Sequence, residues 1–138
     1  MMKRVTGIGG VFFRAGNSKK LAEWYRKHLG IPVKDGVTVF AWRGLTNPKQ
    51  KGHTVWAVFP KKTEYFGRKG QQFMINYRVK NLRDVLRELR HEGVGVDEKI
   101  EETSYGKFGW IADPEGNRIE LWEPPRTYRS LEEQLPSE

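Results

Sequence analysis

The stretch DPEGNRIELW, residues 113–122, combines a tight turn with a strand. Pro114 suits the second position of a β-turn, and Gly116 suits a left-handed backbone position. After the turn, polar and apolar side chains alternate over residues 118–121, which is typical of a strand with one buried face. Because residues 105–112 before the turn are rich in aromatic and β-branched side chains, the stretch predicts a β-hairpin.

The elements before this hairpin recur in the first half of the chain. Asn17 and Asn81 each suit a helix N-cap, and each precedes an apolar stripe at helical spacing that ends at a glycine, Gly30 or Gly93. A strand-like segment precedes each helix, and further ones follow it. These segments are residues 8–15, 38–43 and 54–59 in the first half, and residues 73–79, 105–112 and 118–122 in the second.

The two copies keep a constant spacing. Three residues recur 64 positions later, namely Arg14 as Arg78, Asn17 as Asn81, and Pro60 as Pro124. A chance similarity of two helices would not hold this spacing at a strand, a cap and a strand exit together. The spacing therefore predicts an α+β fold of two related modules, placed with pseudo-twofold symmetry around one core rather than in a solenoid.

The length of 138 residues suits one domain. Within this single domain, residues 1–138, we expect module 1 at about 5–60, a linker at about 61–72, module 2 at about 73–125, and a tail at 126–138. The linker, which carries Tyr65, is expected either to cover the cleft as a lid or to lie on the surface as a plain connection.

Composition excludes several classes of function. The chain has no cysteine, which excludes disulfides, cysteine nucleophiles, thiolate zinc sites and iron–sulfur clusters. No apolar run reaches the length of a membrane span, and no signal peptide is evident, so we expect a cytoplasmic protein without membrane contact. The net charge is +8, but the basic residues are scattered and no nucleic-acid-binding motif is present, so we expect no nucleic acid partner.

Three stretches resemble the glyoxalase/bleomycin-resistance/dioxygenase superfamily, also called the vicinal oxygen chelate superfamily. They are residues 8–13 (IGGVFF), 22–30 (AEWYRKHLG) and 113–122 (DPEGNRIELW). The resemblance covers about residues 5–125. It implies two βαβββ modules whose sheet curls around a cleft with the helices outside, and it implies a homodimer. Many members hold a divalent metal ion in the cleft, with two ligands from each module.

The resemblance also implies where metal ligands would lie. The first-strand positions fall on Gly10 and Met74, and the last-strand positions fall on Trp56 and Glu120. Only Glu120 is a suitable ligand, whereas a catalytic divalent site needs about three oxygen or nitrogen donors. We therefore expect no metal and no other cofactor. A metal-dependent lyase or dioxygenase with unusual ligands is the rival interpretation.

Alternation along the strands indicates which side chains face the cleft. The candidate ligand-binding residues are Phe12, Trp42, Trp56, Met74, Asn76, Tyr105 and Arg118. Glu120 is the candidate catalytic residue, as a general base or an acceptor that orients the ligand. The alternative for Glu120 is a buried ion pair with Arg14, Arg78 or Arg118.

These observations predict a glyoxalase-like protein that binds a small molecule without a metal. The ligand is expected to be neutral or anionic and partly aromatic, because the cleft carries aromatic side chains and the chain is basic. Whether Glu120 adds acid/base chemistry, and so whether the protein is an enzyme, stays open. A drug-sequestering resistance protein is a further alternative, which the positive charge disfavours for a cationic drug.

Overall fold

The computed structural model describes residues 4–68 and 70–126. The elements in chain order are β1 (Val5–Ala15), α1 (Ser18–Leu29), β2 (Val37–Arg43), β3 (Lys51–Pro60), β4 (Phe73–Val79), α2 (Leu82–His91), β5 (Gly95–Val96), β6 (Glu101–Thr103), β7 (Gly106–Ala112) and β8 (Arg118–Glu123). The expected α+β fold is confirmed. The expected tail from residue 127 onward lies outside the described residues.

One curled, unclosed sheet contains the strands of both modules. Its order is β2-β3-β1-β4-β8-β7-β5, with β6 paired to β7. Within each module the first and last strands, β1 with β3 and β4 with β8, are parallel neighbours. The modules join where β1 and β4 pair antiparallel. Helix α1 packs against β1 and β3, and α2 packs against β5, β7 and β8.

The helices begin and end where the sequence predicts. The side chain of Asn17 accepts a hydrogen bond of 3.1 Å from the Lys20 main-chain N–H, and Asn81 caps α2 in the same way. Gly30 closes α1 with a φ of 68°, in the left-handed region that suits glycine. Neither described helix is long and apolar enough to cross a membrane.

The central strand pair carries the pseudo-twofold symmetry. Gly10 lies opposite Asn76, and Phe12 lies opposite Met74. A shift of 64 residues turns the first of these pairs into the second, so the spacing found in the sequence is confirmed at the centre of the sheet. The two modules therefore present equivalent positions of β1 and β4 to the same concave face.

The spacing changes by one residue at the last strand of module 1. Asn76 lies opposite Glu120, whereas its counterpart Phe12 lies opposite Ala57. Ala57, not Trp56, is therefore the counterpart of Glu120. A slip of one residue turns a side chain to the other face of a sheet. The Trp56 ring accordingly packs on the helix side, 5.0 Å from the Tyr25 ring, so the prediction that Trp56 faces the cleft is wrong.

The stability of module 2 depends on the seam between α2 and the sheet. Leu86 is fully buried there beside Leu121 and Val79. We expect Leu86→Ala to lower the free energy of unfolding by about 2–5 kcal/mol, because it removes buried methyl groups and leaves a cavity. Urea denaturation followed by circular dichroism measures this loss.

The matched control is Leu45→Ala, since the Leu45 side chain is 99% exposed. Its expected change is within about 0.5 kcal/mol. Equal losses in the two variants would contradict the assignment of Leu86 to the core.

Candidate functional site

A cavity of about 400 Å³ lies on the concave face of the sheet, between the two modules. Its walls are largely apolar, and most of its polar groups lie at the floor or at the mouth. The residues around it are Gly9, Phe12, Lys34, Asp35, Val37, Val55, Ala57, Phe59, Tyr65, Asn76, Tyr105, Phe108, Glu120 and Trp122. Its volume suits one small organic molecule.

Glu120 forms the floor of this cavity and is only 1% exposed. Three neutral donors hold its carboxyl group. The Tyr65 hydroxyl and the Trp110 indole N–H, the latter at 3.0 Å, donate to Oε2, and Asn76 Nδ2 donates to Oε1 at 2.5 Å. Hydrogen bonds of this kind offset the cost of burying a carboxyl group.

The buried ion pair considered for Glu120 does not form among the described residues. The Arg14 guanidinium binds main-chain carbonyls, and Arg118 lies over the Trp110 ring and pairs with Asp97 at 3.3 Å. Arg78 lies over the Trp42 ring. The carboxyl group is therefore compensated by hydrogen bonds rather than by a cation.

Burial has the largest effect on the protonation of this site. It raises the pKa of Glu120 above its ordinary value, although the hydrogen bonds from Tyr65, Asn76 and Trp110 and the charge of Arg118 act in the opposite direction. Burial and the neighbouring Glu120 also raise the pKa of Tyr65, so its hydroxyl stays protonated and remains a donor.

Tyr65 reaches Glu120 because the connecting segment, described at residues 61–68 and 70–72, packs over the concave face. Phe66, its neighbour, is fully buried and lies 5.1 Å below the Arg14 guanidinium. Arg14 also donates four hydrogen bonds of 2.6–3.1 Å to main-chain carbonyls of this segment, those of Lys61, Thr63, Arg68 and Gln71. Of the two expectations for the linker, the structure supports the one that places it over the cleft.

Asn76 is positioned by the absence of a side chain at Gly9. A Cβ at Gly9 would lie 2.3 Å from Asn76 Oδ1 and 2.7 Å from Trp122 Cε3, so both side chains would have to move. Asn76 Oδ1 is buried without a hydrogen-bond partner among the described residues. The amide oxygen is therefore a free acceptor, while one of the two amide N–H groups donates to Glu120.

Two sets of aromatic rings form the walls. On the module 1 side, Phe59 stacks on Tyr65 with centroids 5.5 Å apart and lies 5.4 Å from Phe12. On the module 2 side, Phe108 stacks on Trp122 with centroids 6.2 Å apart. Such walls favour a planar or apolar ligand body.

The structure brings four of the eight sequence-predicted site residues to the cavity, namely Glu120, Phe12, Asn76 and Tyr105. Met74 lies on the same face but is buried in the core, where it packs with Phe12 and Phe66. That these four residues contact a ligand remains a prediction.

The other three predicted residues do not line the cavity. Trp56 faces the helix side. Trp42 faces Gly7 and Gly52, where its indole N–H donates to Thr54 Oγ1 at 2.9 Å. Arg118 lies over the Trp110 ring and is not among the residues that line the cavity. Strand alternation predicts the face of a side chain but not its distance from the cavity along the strand.

Among the aromatic residues that line the cavity, sequence reasoning did not single out Phe59, Tyr65 and Phe108 as site residues. The one available signal for Tyr65 is the aromatic pair Tyr65-Phe66 inside an otherwise polar and basic segment. Solvent-exposed connections rarely carry two adjacent large aromatic residues without a packing role.

Comparisons with known proteins agree with this architecture. The family model described as Glyoxalase/Bleomycin resistance protein/Dioxygenase superfamily matches residues 7–121. Methylmalonyl-CoA epimerase from Mycobacterium tuberculosis superposes with a TM-score of 0.62 at 21% identity, covering 94% of this chain and 95% of that chain. A methylmalonyl-CoA epimerase of Streptomyces coelicolor in complex with 2-nitronate-propionyl-CoA gives 0.64 at 15% identity, covering 89% and 97%.

The solved structure of the NAD-dependent benzaldehyde dehydrogenase from Legionella pneumophila is also similar to this chain. It gives a TM-score of 0.55 at 15% identity and covers 84% of this chain and 98% of that chain. At these identities the similarity shows the fold alone. No curated protein matches the chain.

The residues present do not fit the divalent ion that many members of this superfamily hold. The positions implied by the resemblance carry Gly10, Met74 and Glu120, and the fourth falls on Ala57 once the one-residue slip is included. Within residues 4–68 and 70–126, no group of three His, Cys, Asp or Glu side chains comes together. One carboxylate and one amide are too few donors for a catalytic ion.

We expect the purified protein to carry less than about one metal ion per ten chains after dialysis, because a lone carboxylate binds such ions weakly. Inductively coupled plasma mass spectrometry measures this content. Stoichiometric metal that is lost in Glu120→Gln would restore the metal-dependent alternative. Glu115→Gln, at an exposed turn, is the matched control.

Proposed function

The chain belongs to the Glyoxalase/Bleomycin resistance protein/Dioxygenase superfamily, and we propose that it binds one small, partly aromatic organic molecule in the cavity above Glu120 without a metal ion. The observation that carries this proposal is the combination of aromatic walls with one hydrogen-bonded polar floor. Pockets of this kind orient a ligand through few polar contacts and gain affinity from apolar burial.

Glu120 at the floor of the cavity disfavours a negatively charged ligand. The sequence favoured a neutral or anionic ligand on the basis of net charge. An anion at the floor would meet the Glu120 carboxyl group, whose three donors are already engaged. Repulsion in a buried site exceeds that at the surface, so we propose a ligand that is not an anion.

A proton transfer by Glu120 is a second candidate function. Two observations favour it: the carboxyl group lines the cavity, and burial raises its pKa toward the range of general acids and bases. Glu120 would take a proton from the bound molecule and return it. Methylmalonyl-CoA epimerases are among the structural neighbours, but their similarity to this chain shows the fold alone.

The homodimer and the cytoplasmic location expected from the sequence stay proposals. The drug-sequestering alternative also stays open, since the cavity would take a small drug as readily as a metabolite. The metal-dependent lyase or dioxygenase is disfavoured by the donor set around Glu120.

The binding proposal predicts that filling the cavity abolishes binding. Val55 lines the cavity and is only partly buried, so Val55→Phe adds volume there with little strain. With naphthalene-2-carboxamide as an uncharged two-ring probe, we expect Val55→Phe to weaken binding at least about tenfold, by loss of apolar contact area. Isothermal titration calorimetry measures this change.

The matched control is Trp42→Phe, an aromatic residue outside the cavity. It is expected to leave the probe affinity within about twofold, because it removes no contact with the ligand. Binding that survives in Val55→Phe, or that is lost in Trp42→Phe, would place the ligand site elsewhere.

A further inference from the structure

We propose that the ligand presents an N–H donor to Glu120, and that the cavity prefers this donor as an aromatic cation such as an amidinium or arylammonium group. The inference rests on the proposed function, since it assigns the chemistry of a ligand in that same cavity. It adds the class of group that reaches the floor.

Hydrogen-bond capacity at the floor is the first argument. The hydroxyl of Tyr65, the amide N–H of Asn76 and the indole N–H of Trp110 all point at Glu120. A carboxylate has about four acceptor sites, and these three donors leave one of them free. The Tyr65 oxygen is also an acceptor. The floor thus offers three acceptors, the free site on Glu120, the Tyr65 oxygen and the unpartnered Asn76 Oδ1, against one remaining donor, the second N–H of the Asn76 amide. A polar ligand group that reaches this floor therefore finds mainly acceptors.

Charge at the floor is the second argument. Among residues 4–68 and 70–126, no lysine or arginine forms an ion pair with Glu120. The charge of Arg118 lowers the pKa of Glu120, but its guanidinium forms its ion pair with Asp97. Lys34 and Asp35 lie side by side at the exposed mouth, where their charges oppose each other. A buried carboxylate without a cationic partner is costly, and a bound cation would supply that partner.

The aromatic walls of the cavity also favour a cation. The rings of Phe12, Phe59, Phe108 and Trp122 surround the space above the carboxyl group. Faces of aromatic rings attract a cation within about 6 Å, and more strongly when water is excluded. The same faces pack against a planar ligand body. An aromatic cation can pack against the aromatic walls and also form a charged hydrogen bond with Glu120, whereas an aromatic anion can only pack against the walls.

The net charge of +8 does not oppose this inference at contact distance. Scattered surface charges act on an approaching ligand over a Debye length of about 8 Å at physiological salt. Within the cavity, the charged group at the floor is Glu120, whereas Lys34 and Asp35 lie at the mouth. The net charge therefore affects the rate of association more than the choice of group at the floor.

Three probes of the same shape test the inference. Benzamidine, benzamide and benzoate share a planar body and differ in charge, from cation through neutral molecule to anion. At neutral pH we expect benzamidine to bind at least about tenfold more tightly than benzamide, and benzoate to bind most weakly, because hydrogen bonds to charged groups are stronger than neutral ones. Isothermal titration calorimetry with the full chain measures the three affinities.

Two variants of the floor sharpen the test. In Glu120→Gln, the benzamidine-to-benzamide ratio is expected to fall to within about threefold, because the charge is gone. In Tyr65→Phe, the carboxyl group stays and the ratio is expected to persist. This second variant keeps the test valid if Glu120→Gln does not fold. Loss of the ratio in Tyr65→Phe would overturn the assignment of the preference to the carboxylate.

A pH titration distinguishes the effect of Glu120 on benzamidine affinity from that of the acidic residue at the mouth, Asp35. Because the pKa of Glu120 is raised, benzamidine affinity is expected to fall as the pH decreases through that pKa, while benzamide affinity stays level. Asp35→Asn removes the acid at the mouth and is expected to leave the ratio within about twofold, since that charge is exposed and screened. If the preference for benzamidine over benzamide disappears in Asp35→Asn, the preference comes from the charge at the mouth and the inference is wrong.

The outcomes distinguish the inference from the proposed function. If all three probes bind, compete with naphthalene-2-carboxamide and rank with benzoate tightest, the inference is wrong and the binding proposal stands. If no probe binds wild-type protein or competes for the cavity, both are wrong. The inference is supported by the order from cation to anion together with its loss in Glu120→Gln. If that variant does not fold, the support is persistence of the order in Tyr65→Phe together with its loss as the pH decreases through the pKa of Glu120.

Discussion

The carboxyl group of Glu120 is the constraint on which the rest of the site depends. It is 1% exposed, and three neutral donors hold it. Each donor comes from a different part of the chain: Tyr65 from the connecting segment, Asn76 from β4 and Trp110 from β7. Removing any one of them would leave a buried acceptor less satisfied. The carboxyl group thus links three strands of module 2 to the segment that connects the two modules.

The positions of these donors follow from residues that do not themselves bind the Glu120 carboxyl group. Gly9 leaves room for Asn76 beside Trp122. Arg14 fixes the connecting segment through main-chain carbonyls and so brings Tyr65 onto the floor. The antiparallel pairing of β1 with β4 aligns the two modules around the cavity. Backbone packing and one arginine therefore determine the chemistry of the cavity.

Features that depend on local sequence were predictable. Asn17 and Asn81 cap their helices, and the turn at Asp113 forms as expected, with the Asp113 carboxylate accepting from the Glu115 and Asn117 main-chain N–H groups. The pseudo-twofold arrangement was also predictable, because its spacing is present in the sequence. These signals act within one element or one repeat, so they do not require knowledge of distant contacts.

Features that depend on long-range pairing were not predictable. Trp56 faces the helices because the register of β3 differs by one residue from that of β8, and no local signal reports a register. Tyr65 reaches Glu120 because Arg14 binds main-chain carbonyls in the segment around it. Arg14 lies 51 residues away in the sequence, so no local signal predicts this contact. The ion-pair interpretation of Glu120 failed for the same reason, since its neighbours are set by the curl of the sheet.

The titration of Glu120 tests this account most directly. The side-chain carboxyl carbon of Glu120, assigned by its absence in Glu120→Gln, reports protonation in ¹³C NMR spectra recorded across pH. A carboxyl group held by neutral donors in a buried site is expected to titrate with a midpoint above the ordinary value of 4.5. A midpoint at or below 4.5 would show that burial does not dominate the protonation of Glu120 and would contradict the account.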